Sequence, residues 1–185
     1  MQEIVKQHIN KIVQISHEEF EEIETFFYKE HYKKGSYLVE AGKLATYEFY
    51  ITKGLVASSF LNEYGKNSIL HFAAENQWIS DIESFNTGAQ TRINIKCLED
   101  TEVYRISYQD KEKLCAVSKK MEYFFRKKSN DTCIMLQNRI MIFMYTNSKD
   151  RYDKFMALHP SIFLRVPKLL LASFLGVTER TLSVI

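Results

Sequence analysis

Apolar and polar positions alternate along this chain with three different rhythms. Roughly the first 30 residues repeat at helical spacing, with Phe20, Ile23, Phe26 and Phe27 in one stripe. Ser16 and Glu19 precede that stripe at the spacing of a capping box. From about Tyr32 the period shortens to two. Tyr37-Leu-Val, Tyr47-Glu-Phe-Tyr-Ile, Leu55-Val-Ala-Ser-Ser-Phe-Leu, Ser68-Ile-Leu-His-Phe, Ile93-Asn-Ile-Lys-Cys and Glu102-Val-Tyr-Arg-Ile are short, alternating and rich in strand formers. Gly35, Gly42, Gly54, Gly65 and Gly88 punctuate them, and Asn62-Glu-Tyr-Gly65-Lys is a hairpin turn. Closely spaced short strands of this kind predict a sandwich, roll or barrel.

After Gly88 there is no glycine until Gly176 and no proline until Pro160. Ser107 with Asp110 caps a new helical stretch, and a long helix follows from about Lys119 to Tyr145. Its second half, Ile134-Met-Leu-Gln-Asn-Arg-Ile-Met-Ile-Phe-Met-Tyr145, is apolar on more than one face and must be covered from two sides. The simplest cover is the strand domain on one side and a second copy of the helix on the other. Burial within one chain is the alternative. Ser148 or Asp150 then starts a shorter helix that runs through Phe155 and Met156 to His159-Pro160. A short stretch around Phe163-Leu-Arg-Val166 leads to Pro167, which suits the first position of a further helix.

The final segment, Leu171 to Ile185, reads as a helix-turn-helix. Ala172 falls where two helices pass closely, and Gly176 where the turn needs positive φ. Leu171, Leu175, Val177, Leu182 and Ile185 take the inward faces. Thr178 caps the second helix, leaving Glu179, Arg180, Thr181 and Ser183 outward at its start, the part that reaches base edges. An ordinary αα-corner is the other reading of this segment.

Composition narrows the class. The chain has 185 residues, 45% hydrophobic and 26% charged, which is globular. No apolar run is long enough to span a bilayer, and the start, Met1-Gln-Glu-Ile-Val-Lys6, has no signal-peptide core, so a cytoplasmic protein without membrane contact is expected. Cys97, Cys115 and Cys133 are too far apart for a metal knuckle and read as reduced, buried thiols. The net charge of +2 hides an asymmetry: residues 1–104 hold 10 Lys and Arg against 16 Asp and Glu, and residues 105–185 hold 15 against 7. A basic C-terminal half suits a polyanionic partner. The Arg126-Lys127-Lys128 run also reads as the solvated face of a helix. No Gly-rich phosphate loop, activated nucleophile or metal spacing is present, so no enzyme activity and no metal are expected.

A β-roll, a long helix and a C-terminal helix-turn-helix, in that order, resemble the Crp/Fnr family of bacterial transcription regulators. The likeness covers nearly the whole chain. It rests on Lys34-Gly35-Ser-Tyr-Leu-Val-Glu-Ala-Gly42, Tyr47-Glu-Phe-Tyr-Ile-Thr-Lys-Gly54-Leu-Val, Asn62-Glu-Tyr-Gly65-Lys and Leu98-Glu-Asp-Thr-Glu-Val-Tyr-Arg-Ile-Ser107. The resemblance implies an α+β fold: a double-stranded, jelly-roll-like β-roll sensor with N-terminal helices over residues 1–118, a dimerisation helix over 119–146, and a winged-helix or helix-turn-helix DNA-binding domain over 147–185. It implies a homodimer on palindromic double-stranded DNA, with Cys133, Leu136, Ile140 and Phe143 on the dimer helix. RNA polymerase is a further partner such a regulator can have.

In the family's nucleotide binders a Gly-Glu pair holds the ribose and an Arg-Ser pair the cyclic phosphate. By resemblance those positions fall on Ser80-Asp81 and Thr91-Arg92, and both pairs are changed. Asp81 is one methylene short, and Thr91 offers no charge to a buried phosphate. Alternation with Ile93, Ile95 and Cys97 turns Thr91 inward and leaves Arg92, Asn94 and Lys96 outward, unless a bulge before Ile93 reverses the order. Where cAMP-binding members place a hydroxyl pair, this chain has Leu136-Gln137. No cAMP or cGMP binding and no cofactor are expected. The pocket takes another small molecule or nothing, and Trp78 and Phe85 read as core or as an apolar cavity wall. No cysteine precedes Cys97, against an iron–sulfur centre, and His8, His17, His31, His71 and His159 are scattered, against haem or a cupin metal. His71 is expected on a strand surface.

In the family the second helix of the head carries an Arg-Glu pair and a later Arg that read bases. Here Glu179 and Arg180 stand in reversed order and Val184 replaces the later Arg. Arg180 is the candidate for a bidentate guanine contact and Glu179 for a cytosine amino group, while Lys168, Thr178 and Thr181 are candidates for phosphate. The family continues this helix with basic residues, whereas this sequence ends at Ile185. A head of this natural length would grip DNA weakly, and a shortened chain would lose grip artificially. The alternative function is a ligand-binding or interaction module whose head no longer reads DNA.

Overall fold

A computed structural model describes residues 2–63, 65–144 and 147–184. Tyr64 of the predicted hairpin turn, Tyr145 at the end of the predicted long helix, and Ile185 of the predicted inward set lie outside the described residues.

Two short helices open the chain, α1 (Gln2–Asn10) and α2 (His17–Glu24). The capping box is present: Glu19 N donates to Ser16 Oγ at 3.1 Å and Ser16 N to Glu19 Oε2 at 2.7 Å. The roll follows as β1 (Tyr28–Tyr32), β2 (Tyr37–Val39), β3 (Tyr47–Lys53), β4 (Val56–Leu61), β5 (Asn67–Ala73), β6 (Trp78–Ile79), a helix α3 (Ile82–Thr87), β7 (Ile93–Cys97) and β8 (Thr101–Ser107). The strands form two antiparallel four-stranded sheets, β1-β8-β3-β6 and β2-β7-β4-β5. Between them lies a core of Phe49, Ile51, Val56, Ile95 and Val103.

The first sheet is buried on its other face too. Tyr50 and Ile106 point away from the roll interior into a second core with Ile9, Phe20 and Ile23 of α1 and α2. Leu114 of α4 (Tyr108–Val117) and Met121 and Phe124 of α5 (Lys119–Met144) complete it. Ser107 caps α4 as expected, accepting from Asp110 N at 3.0 Å.

The six strands read from alternation are all present. Two were not anticipated. Strand β1, Tyr-Lys-Glu-His-Tyr, is an edge strand whose charges are satisfied across the pair with β8: Lys29 Nζ lies 3.0 Å from Glu102 Oε2 and Arg105 Nη2 2.7 Å from Glu30 Oε1. Strand β6 has two residues, too few for any periodicity.

The chain ends in helices: α6 (Ser148–Leu158), α7 (Pro160–Phe163), α8 (Lys168–Leu175) and α9 (Glu179–Val184). Helix α6 starts at Ser148, one of the two expected starts, and Asn147 caps it, accepting from Asp150 N at 2.9 Å. Pro167 occupies the cap of α8, one residue before the expected first position. Among the described residues this region contains no strand, so the expected wing is not part of it.

The C-terminal helices pack on the roll. Leu55, just before β4, and Ala57, Ile69 and Phe72 of the second sheet share a core with Phe155, Ile162, Leu171, Phe174 and Leu175. Arg165 fastens the seam, its Nη1 2.7 Å from Glu75 Oε2 and its Nη2 2.6 Å from Glu99 Oε2. Ser173 Oγ accepts from Ile69 N at 3.3 Å and donates to Asn67 O at 3.2 Å.

Candidate effector site and DNA-binding head

The positions matched to the nucleotide pocket gather around the start of α3. Ser80 is buried, and its hydroxyl donates to Tyr47 O at 2.8 Å. Asp81 is the N-cap of α3: Oδ1 accepts from Glu83 N at 3.0 Å and Ser84 N at 3.3 Å, and Oδ2 accepts from the Thr91 hydroxyl. Thr91 is buried and Arg92 points outward, its side chain 84% exposed and its Nη2 3.3 Å from Glu83 Oε2. Ser84 Oγ accepts from Ala45 N at 2.9 Å and donates to Ala89 O at 2.6 Å. The polar groups therefore satisfy one another. The amides of the first turn, the usual grip on an anion, already hold the Asp81 carboxylate. Phe85 is core here, and half-buried Trp78 packs against Phe27, Tyr50, Phe124 and Phe125, its Nε1 donating to His8 Nε2 at 3.0 Å.

Leu136 and Gln137 do not join this cluster. Gln137 is exposed on α5, and Leu136 borders a different cavity, whose wall contains none of Ser80, Asp81, Thr91 and Arg92. One face of α5, with Met121, Phe124, Phe125, Lys128 and Ile142, is buried by this chain. Cys133, Leu136, Ile140 and Phe143 lie along another at spacings of three and four residues. Leu136 is 47%, Ile140 62% and Phe143 46% exposed, and Cys133 is exposed rather than buried as expected.

Lys128 departs from the solvated face expected of the Arg126–Lys128 run. Its ammonium donates to Glu48 Oε1 at 2.6 Å, and Lys111 donates to Glu48 Oε2 at 3.0 Å. Burial alone would raise the Glu48 carboxyl, but the two ammonium groups outweigh it and hold it below the ordinary carboxylate range. Lys128 is also 4.7 Å above the Trp78 ring.

His71 corrects a second expectation. It does not lie on an open strand surface: α5 and the C-terminal helices cover it in a cavity of about 260 Å³. Burial, and then the nearby charge of Arg139, push its pKa down to about 4. Arg139, the one cation in the apolar half of α5, stacks on the rings of Phe143 and Phe174 at 3.9 and 3.4 Å. Its Nε donates to Leu70 O at 3.3 Å and its Nη2 to Phe174 O. Arg139 belongs to no motif in the sequence. The available signal was a solitary charge inside Ile134–Tyr145, which must either reach solvent or find buried acceptors.

In the head, α8 and α9 meet at Gly176, which has φ 67° and donates to Ala172 O, with Val177 N also donating to Ala172 O at 3.0 Å. Ala172, Leu171 and Leu175 are buried and Val177 and Leu182 half-buried, as the pattern required. Thr178 caps α9, accepting from Thr181 N at 3.1 Å. Glu179, Arg180 and Ser183 are exposed and Thr181 is half-buried; the Ser183 hydroxyl donates to Glu179 O at 2.9 Å. Lys168 is exposed at the start of α8. No group of His, Cys, Asp and Glu suited to a metal occurs among the described residues, and no described helix is long and apolar enough to cross a membrane.

Residues 29–118 match the cyclic nucleotide-binding domain family. No curated protein matches the chain. Among solved structures the chain is similar to FixK2 from Bradyrhizobium japonicum, at 16% identity over 85% of this chain and 81% of that one, with a TM-score of 0.74. It is also similar to the c-di-GMP responsive global regulator CLP from Xanthomonas campestris, at 13% identity over 88% of each chain, with a TM-score of 0.71. A protein from Eubacterium rectale assigned to the Crp/Fnr family of transcriptional regulators shares 15% identity over 91% of this chain and 81% of that one, with a TM-score of 0.71. Residues 29–118 thus carry the likeness to cyclic nucleotide-binding domains, and the chain as a whole shares its fold with Crp/Fnr-type regulators.

Proposed function

We propose that this protein is a homodimeric, sequence-specific DNA-binding transcription regulator whose roll has lost the means to hold a cyclic nucleotide. The observation that carries the reading is the α8–Gly176–α9 unit. It leaves Glu179 and Arg180 free at the start of an exposed helix, in the basic half of the chain. Arg180 reads guanine through its guanidinium, Glu179 accepts from cytosine, and Lys168, Thr178 and Thr181 hold phosphate. Ser183 flanks them on the same helix. Two copies pair along Cys133, Leu136, Ile140 and Phe143: Cys133 is exposed, and the other three keep about half or more of their surface exposed in the single chain. Two heads related by a two-fold axis then require a palindromic site.

The nucleotide reading fails on charge. A cyclic phosphate near α3 would meet the Asp81 carboxylate on the first-turn amides and the uncharged Thr91, with Arg92 turned to solvent. The direct test is selection from a palindromic DNA library followed by binding at increasing salt. Enrichment of one site, with affinity that falls as salt rises, is expected. Equal retention of all sequences would leave the head an interaction surface. Calorimetry with cAMP tests the other half, and micromolar affinity would overturn it.

A further inference from the structure

The cavity beneath α5 is walled by buried Phe72 of β5, Ile142 of α5, and Phe155, Ile162 and Phe174 of the C-terminal helices. The charged groups of its wall are not offered to the interior. Arg139 gives Nε and Nη2 to backbone carbonyls, lies against the rings of Phe143 and Phe174, and has its Nη1 sealed from solvent. Asp131 is exposed at the rim. His71 differs from both. Its imidazole borders the same space and makes no hydrogen bond among the described residues, and neither ring nitrogen is sealed off as Arg139 Nη1 is. Burial and the charge of Arg139 keep the ring neutral down to about pH 4. At neutral pH one of its nitrogens is therefore a free acceptor and the other a free donor. A buried polar group ordinarily has a partner, and the chain supplies none here.

We propose that this cavity binds a small, uncharged, largely apolar molecule carrying one N–H or O–H group, its hydrocarbon body against Phe72, Ile142 and Phe155 and its donor on the free nitrogen of His71. Charge of either sign is disfavoured. An anion would find the Arg139 nitrogens bonded or sealed and a carboxylate at the rim, and a cation would lie beside the guanidinium. Both would lose their hydration without gaining an ion partner inside. The body must be apolar because five buried apolar side chains surround it. The volume, about 260 Å³, takes roughly ten heavy atoms at protein packing density, the size of indole. Because the walls belong to the roll, the long helix and the head together, such a ligand stabilises the docked head. This site is separate from the Asp81 cluster, and its test contains no DNA, so its failure and that of the DNA reading are distinguishable.

The experiment is titration calorimetry of the 185-residue chain with indole, with indene, which has the same shape but a CH₂ in place of the N–H, and with the anion indole-3-acetate. The histidine imidazole resonances are followed by NMR. Saturable binding of indole is expected, about fivefold tighter than indene for one added hydrogen bond and tighter still than indole-3-acetate. The His71 resonances should shift while those of exposed His17 and His31 stay in place. His71→Leu keeps an apolar wall and removes the acceptor, so indole should fall to the affinity of indene and indene should bind as before. If that variant does not fold, the indole–indene comparison and the histidine shifts on the unaltered chain decide the matter. Equal affinity for indole and indene, binding of indole-3-acetate as tight as that of indole, absence of saturation by indole at millimolar concentration, or shifts confined to His17 and His31 would overturn the proposal.

Discussion

Lys128 Nζ lies 2.6 Å from Glu48 Oε1, with the two side chains 8% and 4% exposed. Lys111 closes the triad from the other carboxylate oxygen at 3.0 Å. Removing the shared anion strands two ammonium groups, whereas removing Lys128 leaves Glu48 with Lys111. Glu48→Gln should therefore cost about 3–5 kcal/mol of unfolding free energy, and Lys128→Met clearly less. Urea denaturation of the two variants checks the order, and a larger loss for Lys128→Met would contradict it.

Acid should weaken the fold through its histidines before its carboxylates. Burial, helped by Lys11 and Lys128, lowers the pKa of His8 to about 4, and burial with Arg139 does the same to His71. Between the ordinary value of 6.5 and about 4, the unfolded chain takes protons that the native chain refuses. Stability is therefore complete above pH 6.5, falls as pH drops toward 4, and stops falling on this account below it. Denaturation midpoints across that range should show the slope, and His71→Gln should flatten it.

The stripe on α5 predicts assembly. Ile140→Glu places a charge on a residue that is 62% exposed in the single chain, so folding should survive. Sedimentation equilibrium should convert a dimer to a monomer. A variant still dimeric at micromolar concentration would place the contact elsewhere.

Arg180→Ala should cost about 1–3 kcal/mol on a selected palindromic site and relax preference at one base pair in each half-site. Competition gel shifts against single-base variants read this directly. Loss spread evenly over all sequences would make Arg180 a phosphate contact instead.

Gly54 has φ 106°, and a Cβ there would stand 2.7 Å from Thr101 Oγ1 and 2.8 Å from Asp100 O. Gly54→Ala should destabilise the roll by on the order of 2 kcal/mol or more, from backbone strain and collision together. Thermal unfolding measures it.

Much of this was legible in the chain. Phe49, Ile51, Ile95 and Val103 alternate because the roll demands it, and Gly176 with Ala172 announced the head turn. Thr91 and Arg92 could be assigned to opposite sides from strand parity alone. What escaped was set by tertiary partners. Strand β1 pairs its charges and its backbone with β8 and has no alternating apolar pattern of its own. Lys128 looked solvated until Glu48, 80 residues away, supplied its counter-charge. His71 alternates like a surface residue, and only the docking of α5 and the C-terminal helices covers it.

Phe143 ends the apolar face of α5 against the head: its ring edge is 3.3 Å from where a Cβ on Gly176 would be. The glycine thus serves twice, bending the backbone and leaving a notch for the ring. A roll of the rod toward the head would press that ring on the turn between α8 and α9. Torque applied where two rods meet would reach the reading helix through that contact.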